Sequence, residues 1–151
     1  MRRTVLVDPR KRRFPPLLRR SWYGMNQAFR RRIAHLAITP DQYTVLRTLT
    51  DAGAKGLTQR ELTEAMSSDP NTVASLVERM ETLGLVSREV DASDRRAKRM
   101  RTAPLGLEKY LLAREKAIEL QAEILGCLPA NEREVFLERL ERVAEACWAL
   151  A

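Results

Sequence analysis

The side chains that most often carry catalysis or bind metals are scarce in this 151-residue chain. There is one histidine, His35, and the only cysteines, Cys127 and Cys147, stand twenty residues apart. Neither arrangement matches a Cys/His ligand set or a nucleophile with an imidazole base. No glycine-rich phosphate loop or nucleophile elbow occurs, and the glutamates of residues 132–145 read as a solvated helix face. The chain is therefore expected to be no enzyme and to hold no cofactor or metal. What remains is the chemistry of hydrogen bonding and positive charge. Asn71, Thr72, Ser75 and Arg79 recur at the spacing of one helix face, and Arg95, Arg96, Lys98 and Arg99 crowd a short polar stretch. Short hydrogen-bonding side chains can read base edges, and Arg and Lys can grip phosphates or enter a narrow minor groove.

Those residues need elements to hold them. Thr58-Gln59-Arg60-Glu61 is a capping box that opens a short helix through Leu62, Ala65 and Met66. Ser67-Ser68 makes a turn, and Asp69-Pro70 starts a second helix with an N-cap and a first-position proline. Val73, Leu76, Val77, Met80 and Leu83 form its inward face, and Gly84 ends it. Residues 85–90 and 98–102 suit two short strands around a polar turn at 91–95. A helix-turn-helix followed by a basic hairpin is a winged DNA-binding module. Upstream, Thr39-Pro40-Asp41-Gln42 opens a helix carrying Tyr43, Val45, Leu46 and Leu49, which stops at Gly53. An earlier helix, from Leu17, carries the stripe Leu18, Trp22, Met25, Phe29, Ile33 and Leu36, with His35 at its end. Downstream, a long helical pattern from Leu105 breaks at Pro129 and resumes with Phe136, Leu140, Val143, Cys147 and Leu150 on one side.

Charge points the same way. The net +7 is uneven: residues 1–32 hold eleven Arg and Lys against one Asp, and residues 85–107 hold six against three acids. Basic zones on a neutral scaffold favour a polyanionic partner, most simply double-stranded DNA. Residues 57–100, LTQRELTEAMSSDPNTVASLVERMETLGLVSREVDASDRRAKRM, resemble the MarR family of winged helix-turn-helix regulators. The specific pieces are Gly84-Leu85 and the wing motif Asp91-x-x-Asp94-Arg95-Arg96. The resemblance implies that Asp94 supports the wing while Arg96 enters the minor groove. The chain departs from the family's Leu-Thr-x-x-Gly continuation, having Thr102-Ala103-Pro104-Leu105-Gly106 there, so Thr102 or the proline must start the next helix.

The expected architecture is mainly α with a small β wing. A basic arm at 1–15, extended up to Pro15-Pro16, precedes a single domain at 16–151 with its DNA-binding module at 39–103. The helical regions 16–37 and 104–151 carry more apolar surface than that module can cover and are expected to pair two copies into a homodimer. Its two recognition helices would meet a palindromic operator about one turn, ~10 bp, apart. The resemblance also implies repression relieved by a small aromatic effector, for which Arg19, Trp22, Tyr23 and Asn26 offer a candidate pocket. Neither cysteine lies in the first helix, where some relatives sense peroxides, so redox sensing is not expected. An architectural DNA binder and a winged-helix protein-interaction module are the alternatives; exposed wing arginines count against the second. No stretch reaches the ~20 apolar residues of a membrane helix, and Asp8 with residues 10–13 breaks any signal-peptide pattern. A soluble cytoplasmic protein with no membrane partner is the expectation.

Overall fold

The computed structural model describes residues 8–151, and helix α1 runs Phe14–Ile33. It starts earlier than the sequence pattern suggests because Pro15 and Pro16 sit in its first turn, where a missing N–H removes no helical bond. The expected extended arm is also shorter: Pro9–Lys11 form a 3-10 turn whose N-cap Asp8 accepts from Arg10 N–H at 3.0 Å. The first seven residues of the arm lie outside the described residues. Only the C-terminal part of the α1 stripe is buried, through Phe29 and Ile33, with Leu36 in a following 3-10 turn that also holds His35. Leu18, Trp22 and Met25 are exposed.

Helix α2, Pro40–Ala52, opens on the expected capping box: Thr39 accepts from Gln42 N–H, and Gln42 returns the bond to Thr39 N–H at 2.9 Å. Strand β1, Leu57–Thr58, is too short for any sequence period to reveal. Helices α3, Gln59–Ala65, and α4, Pro70–Thr82, pack on each other and on α2. Strands β2, Val86–Val90, and β3, Lys98–Thr102, form the wing, and the antiparallel sheet order is β1-β3-β2. Its register pairs Leu57 with Met100 and Thr58 with Arg99 on one side of β3, and Arg88 with Met100 on the other. Helix α5, Pro104–Leu125, begins at the proline that departs from the family pattern, and α6 spans Ala130–Ala149.

The described residues fall into two compact units, one ending at Ala113 and the other Arg114–Ala151, with the division inside α5. The core of the first holds Ile33, Val45, Leu46, Leu49, Leu62, Val73, Val77, Met80, Leu85 and Met100, each less than 2% exposed. Burying each such side chain stabilises the fold by at most about 1.5–3 kcal/mol, so this cluster is the main support of the helix-turn-helix. Tyr43 joins three helices: it meets Phe29 edge-on at 4.8 Å and stacks with Tyr110 at 5.7 Å. Gly106 lets α5 approach the wing root, because a Cβ there would run into the carbonyl oxygen of Leu85 and the side chain of Leu46. In the second unit, residues 126–129 turn the chain from α5 into α6, and Arg133 Nε donates to the Leu128 carbonyl at 3.1 Å. None of the twenty residues of α6 is buried. Among the described residues no helix is long and apolar enough to cross a membrane, and no His, Cys, Asp and Glu group could hold a metal ion.

Candidate nucleic-acid interface

The turn between α3 and α4 depends on a left-handed residue, Ser67 at φ 48°, and Ser68 N–H donates to the Thr63 carbonyl at 3.2 Å. That geometry lets α4 start in a new direction, with Asp69 as its N-cap. Asp69 accepts from both the backbone N–H and the hydroxyl of Thr72, each at 2.8 Å, and the first of these bonds chiefly holds its carboxyl below the usual range. The amides at this helix start are therefore not all available to a phosphate. At the other end Gly84 adopts φ 72°, and Leu85 N–H donates to the Met80 carbonyl at 2.9 Å in a Schellman closure. This closure needs glycine and turns Leu85 inward, which accounts for the Gly84-Leu85 signature.

Between these ends α4 is divided by its period. Val73, Leu76, Val77 and Met80 are buried, while Asn71, Thr72, Ser75 and Arg79 are exposed on the other side with Glu78. The structure thus brings the four expected recognition residues to one solvent-facing surface. The Thr72 hydroxyl already donates to Asp69, so toward a base it retains only its acceptor lone pairs.

The wing turn is held by two aspartates. Asp94 accepts from the backbone N–H of Arg96 at 2.9 Å, so it supports the tip through the main chain and leaves the Arg96 guanidinium exposed. Arg95 and Lys98 are exposed as well, and none of the three carries an ion pair among the described residues. Asp91, the first residue of the wing motif, is buried and accepts from Ser93 N–H at 2.8 Å and from the Ser93 hydroxyl at 2.7 Å. The Asp-x-Ser order was a readable sign of this turn. Those bonds, with a contribution from Arg99, lower its carboxyl to about 2.

Arg99, one of the expected DNA-binding residues, points inward: its side chain is only 16% exposed and its Nε lies 2.6 Å from Asp91. Its Nη1 lies 3.3 Å from Glu61, a distance it repeats to the Gly56 carbonyl. Two carboxylates draw it inward, an outcome no local spacing indicates. Arg88 and Arg101 are likewise engaged, with Glu81 and Glu89.

A cleft of about 330 Å3 between the start of α3 and the wing is lined in part by Arg60, Arg88, Arg96 and Lys98. The residues of the expected effector pocket share α1. Arg19, Trp22 and Tyr23 are exposed, the two aromatic residues each at 61%, and Asn26 is half-buried. Cys127 and Cys147 are both free and exposed.

Comparison with known proteins bears on this geometry. Residues 38–97 match the sequence profile described as the MarR family. The chain is 34% identical over 106 residues to the transcriptional regulator HosA of Escherichia coli O127:H6, covering 70% of this chain and 77% of HosA. A putative transcriptional regulatory protein for the hcr operon of Thauera aromatica is 26% identical over 83% of this chain and 75% of its own length. Among solved structures, PcaV of Streptomyces coelicolor with its natural ligand superposes with a TM-score of 0.80 at 28% identity, covering 95% of this chain and 99% of PcaV. The S. aureus MepR–DNA complex shares the fold, with a TM-score of 0.82 at 24% identity over 88% of this chain and 97% of MepR. With its capped recognition helix, arginine-tipped wing and these relatives, the chain belongs to the MarR family of winged helix-turn-helix, DNA-binding transcriptional regulators.

Proposed function

We propose that the chain is a homodimeric repressor that reads a palindromic operator and is released from it by a small aromatic ligand. One observation carries the DNA reading: Asn71, Thr72, Ser75 and Arg79 are exposed together on α4, while the wing carries Arg95, Arg96 and Lys98 without ion-pair partners among the described residues. In that reading α4 lies in the major groove, Asn71 and Ser75 address base edges, Arg79 holds a phosphate, and Arg96 enters the neighbouring minor groove.

The homodimer is supported by the state of the terminal helices. The twenty-residue helix α6 has no fully buried side chain, so it draws little of the tertiary packing that normally stabilises helices in water. Phe136, Leu140, Trp148 and Leu150 on α6, and Leu17, Leu18, Trp22 and Met25 on α1, are exposed apolar side chains suited to a second copy. The effector is supported by the ligand-bound PcaV relative and by the Arg19, Trp22, Tyr23 and Asn26 face, which combines a cation, two aromatic rings and a hydrogen-bonding amide. Such a protein acts in the cytoplasm, on DNA.

The test is a salt-dependent titration of the chain against duplexes from the region upstream of its own gene and against random duplex. Specific binding about 10^3-fold or more tighter than random is expected, falling steeply with salt. A panel of aromatic acids should release the complex. Equal affinity for both duplexes at every salt concentration would instead favour the architectural reading, which the basic residues of the arm could support.

A further inference from the structure

Arg99 joins three segments through one guanidinium. Its Nε donates to Asp91 at the wing turn, and its Nη1 donates to Glu61 in α3 and to the carbonyl of Gly56 in the connection before β1. Both carboxylates are held independently of it. Asp91 is fixed by Ser93 through its other oxygen, and Glu61 accepts the Thr58 N–H at 2.8 Å. The wing needs such a tie. Its β2–β3 ribbon joins the rest of the sheet through only two residue pairs, Leu57 with Met100 and Thr58 with Arg99. The part that would enter a groove lies beyond those pairs, where Val90 and residues 92–96 are exposed. An isolated two-stranded ribbon is marginally stable, so the angle of the tip is set at its root.

We infer that Arg99 is a positioning residue for DNA binding: it locks the wing to the helix-turn-helix at the angle at which α4 and Arg96 engage one duplex together. A wing free to swing would have to be ordered on every binding event, which weakens affinity without removing any contact. Only a planar fork serves here, since a lysine ammonium on its flexible stem cannot present the same paired geometry to both carboxylates. The inference rests on the proposed engagement of the wing with DNA and adds what sets its geometry.

The experiment measures operator affinity of the full chain and variants by fluorescence anisotropy across a salt series. R99Q should weaken binding about tenfold while leaving the salt slope unchanged, because no phosphate contact is lost. R96A should lower that slope by about one. R96A introduced into R99Q should weaken binding less than it does in the native chain, and R99K should not restore affinity. The carboxylate variants give an independent readout: D91N and E61Q each remove a negative charge, which electrostatics alone predicts to strengthen DNA binding, whereas lost positioning predicts weaker binding. If R99Q fails to fold, as judged by thermal unfolding, these two variants and R99K decide the matter by the sign of their effect and their salt slopes. A slope lowered by about one in R99Q, full additivity with R96A, or tighter binding by both D91N and E61Q would overturn the inference. A native chain that binds no duplex, or an R96A that changes nothing, would instead sink the DNA reading beneath it.

Discussion

At the scale of single residues, the proposed DNA surface would divide into side chains that discriminate and side chains that hold. Asn71 and Ser75 have exposed hydrogen-bonding groups, so Asn71→Ala or Ser75→Ala should alter preference at one base position by ~1–3 kcal/mol, measured against a set of operator variants. Arg96→Ala should weaken all sequences alike, as expected of an exposed cation at the wing tip. Gly106 is constrained by space: a methyl group there meets the Leu85 carbonyl, which cannot move without disturbing the wing root. Gly106→Ala should therefore destabilise the chain by about 1–3 kcal/mol, seen as a lower urea midpoint at unchanged m-value.

At the scale of elements, the caps and the wing turn govern stability. Thr39→Ala removes the bond from Gln42 N–H that opens α2, and should lower stability by about 1 kcal/mol in the same urea measurement. The wing turn has its own pH dependence. The folded Asp91 carboxyl lies at about 2, below its ordinary value of 3.8, so between those values the folded wing binds fewer protons than the unfolded chain. Its contribution is complete above about pH 4 and is lost as the pH falls through about 2. Backbone amide NMR should show Ser93 unchanged down to pH 5 and shifting only in that acid range.

At the scale of the whole molecule, the proposed dimer is the element on which operator spacing depends. Leu140→Glu places a charge on the exposed apolar face of α6 and should shift the chain to monomer in sedimentation at micromolar concentration. Operator affinity should fall with it, because two half-sites are then bound without linkage. A variant that stays dimeric with affinity intact would place the subunit contact elsewhere.

The amino-acid sequence by itself determined the features that local physics controls. Thr39, Thr58 and Asp69 marked helix starts, Gly84 marked a helix end, and the period of Val73, Leu76, Val77 and Met80 already separated the inward face of α4 from Asn71, Thr72, Ser75 and Arg79. Capping and periodicity act over a few residues and so leave a trace in the order of side chains. The early start of α1 lay in the dual meaning of Pro15-Pro16, which can end an arm or open a helix. Two-residue β1 and the inward turn of Arg99 are different in kind. Thr58 meets Arg99 only when the strand pairing forms, and Glu61 and Asp91 converge on one guanidinium although they lie thirty residues apart in the sequence. That convergence turns Arg99 inward while Arg95, Arg96 and Lys98 stay exposed, because the pull of a carboxylate depends on distance in space.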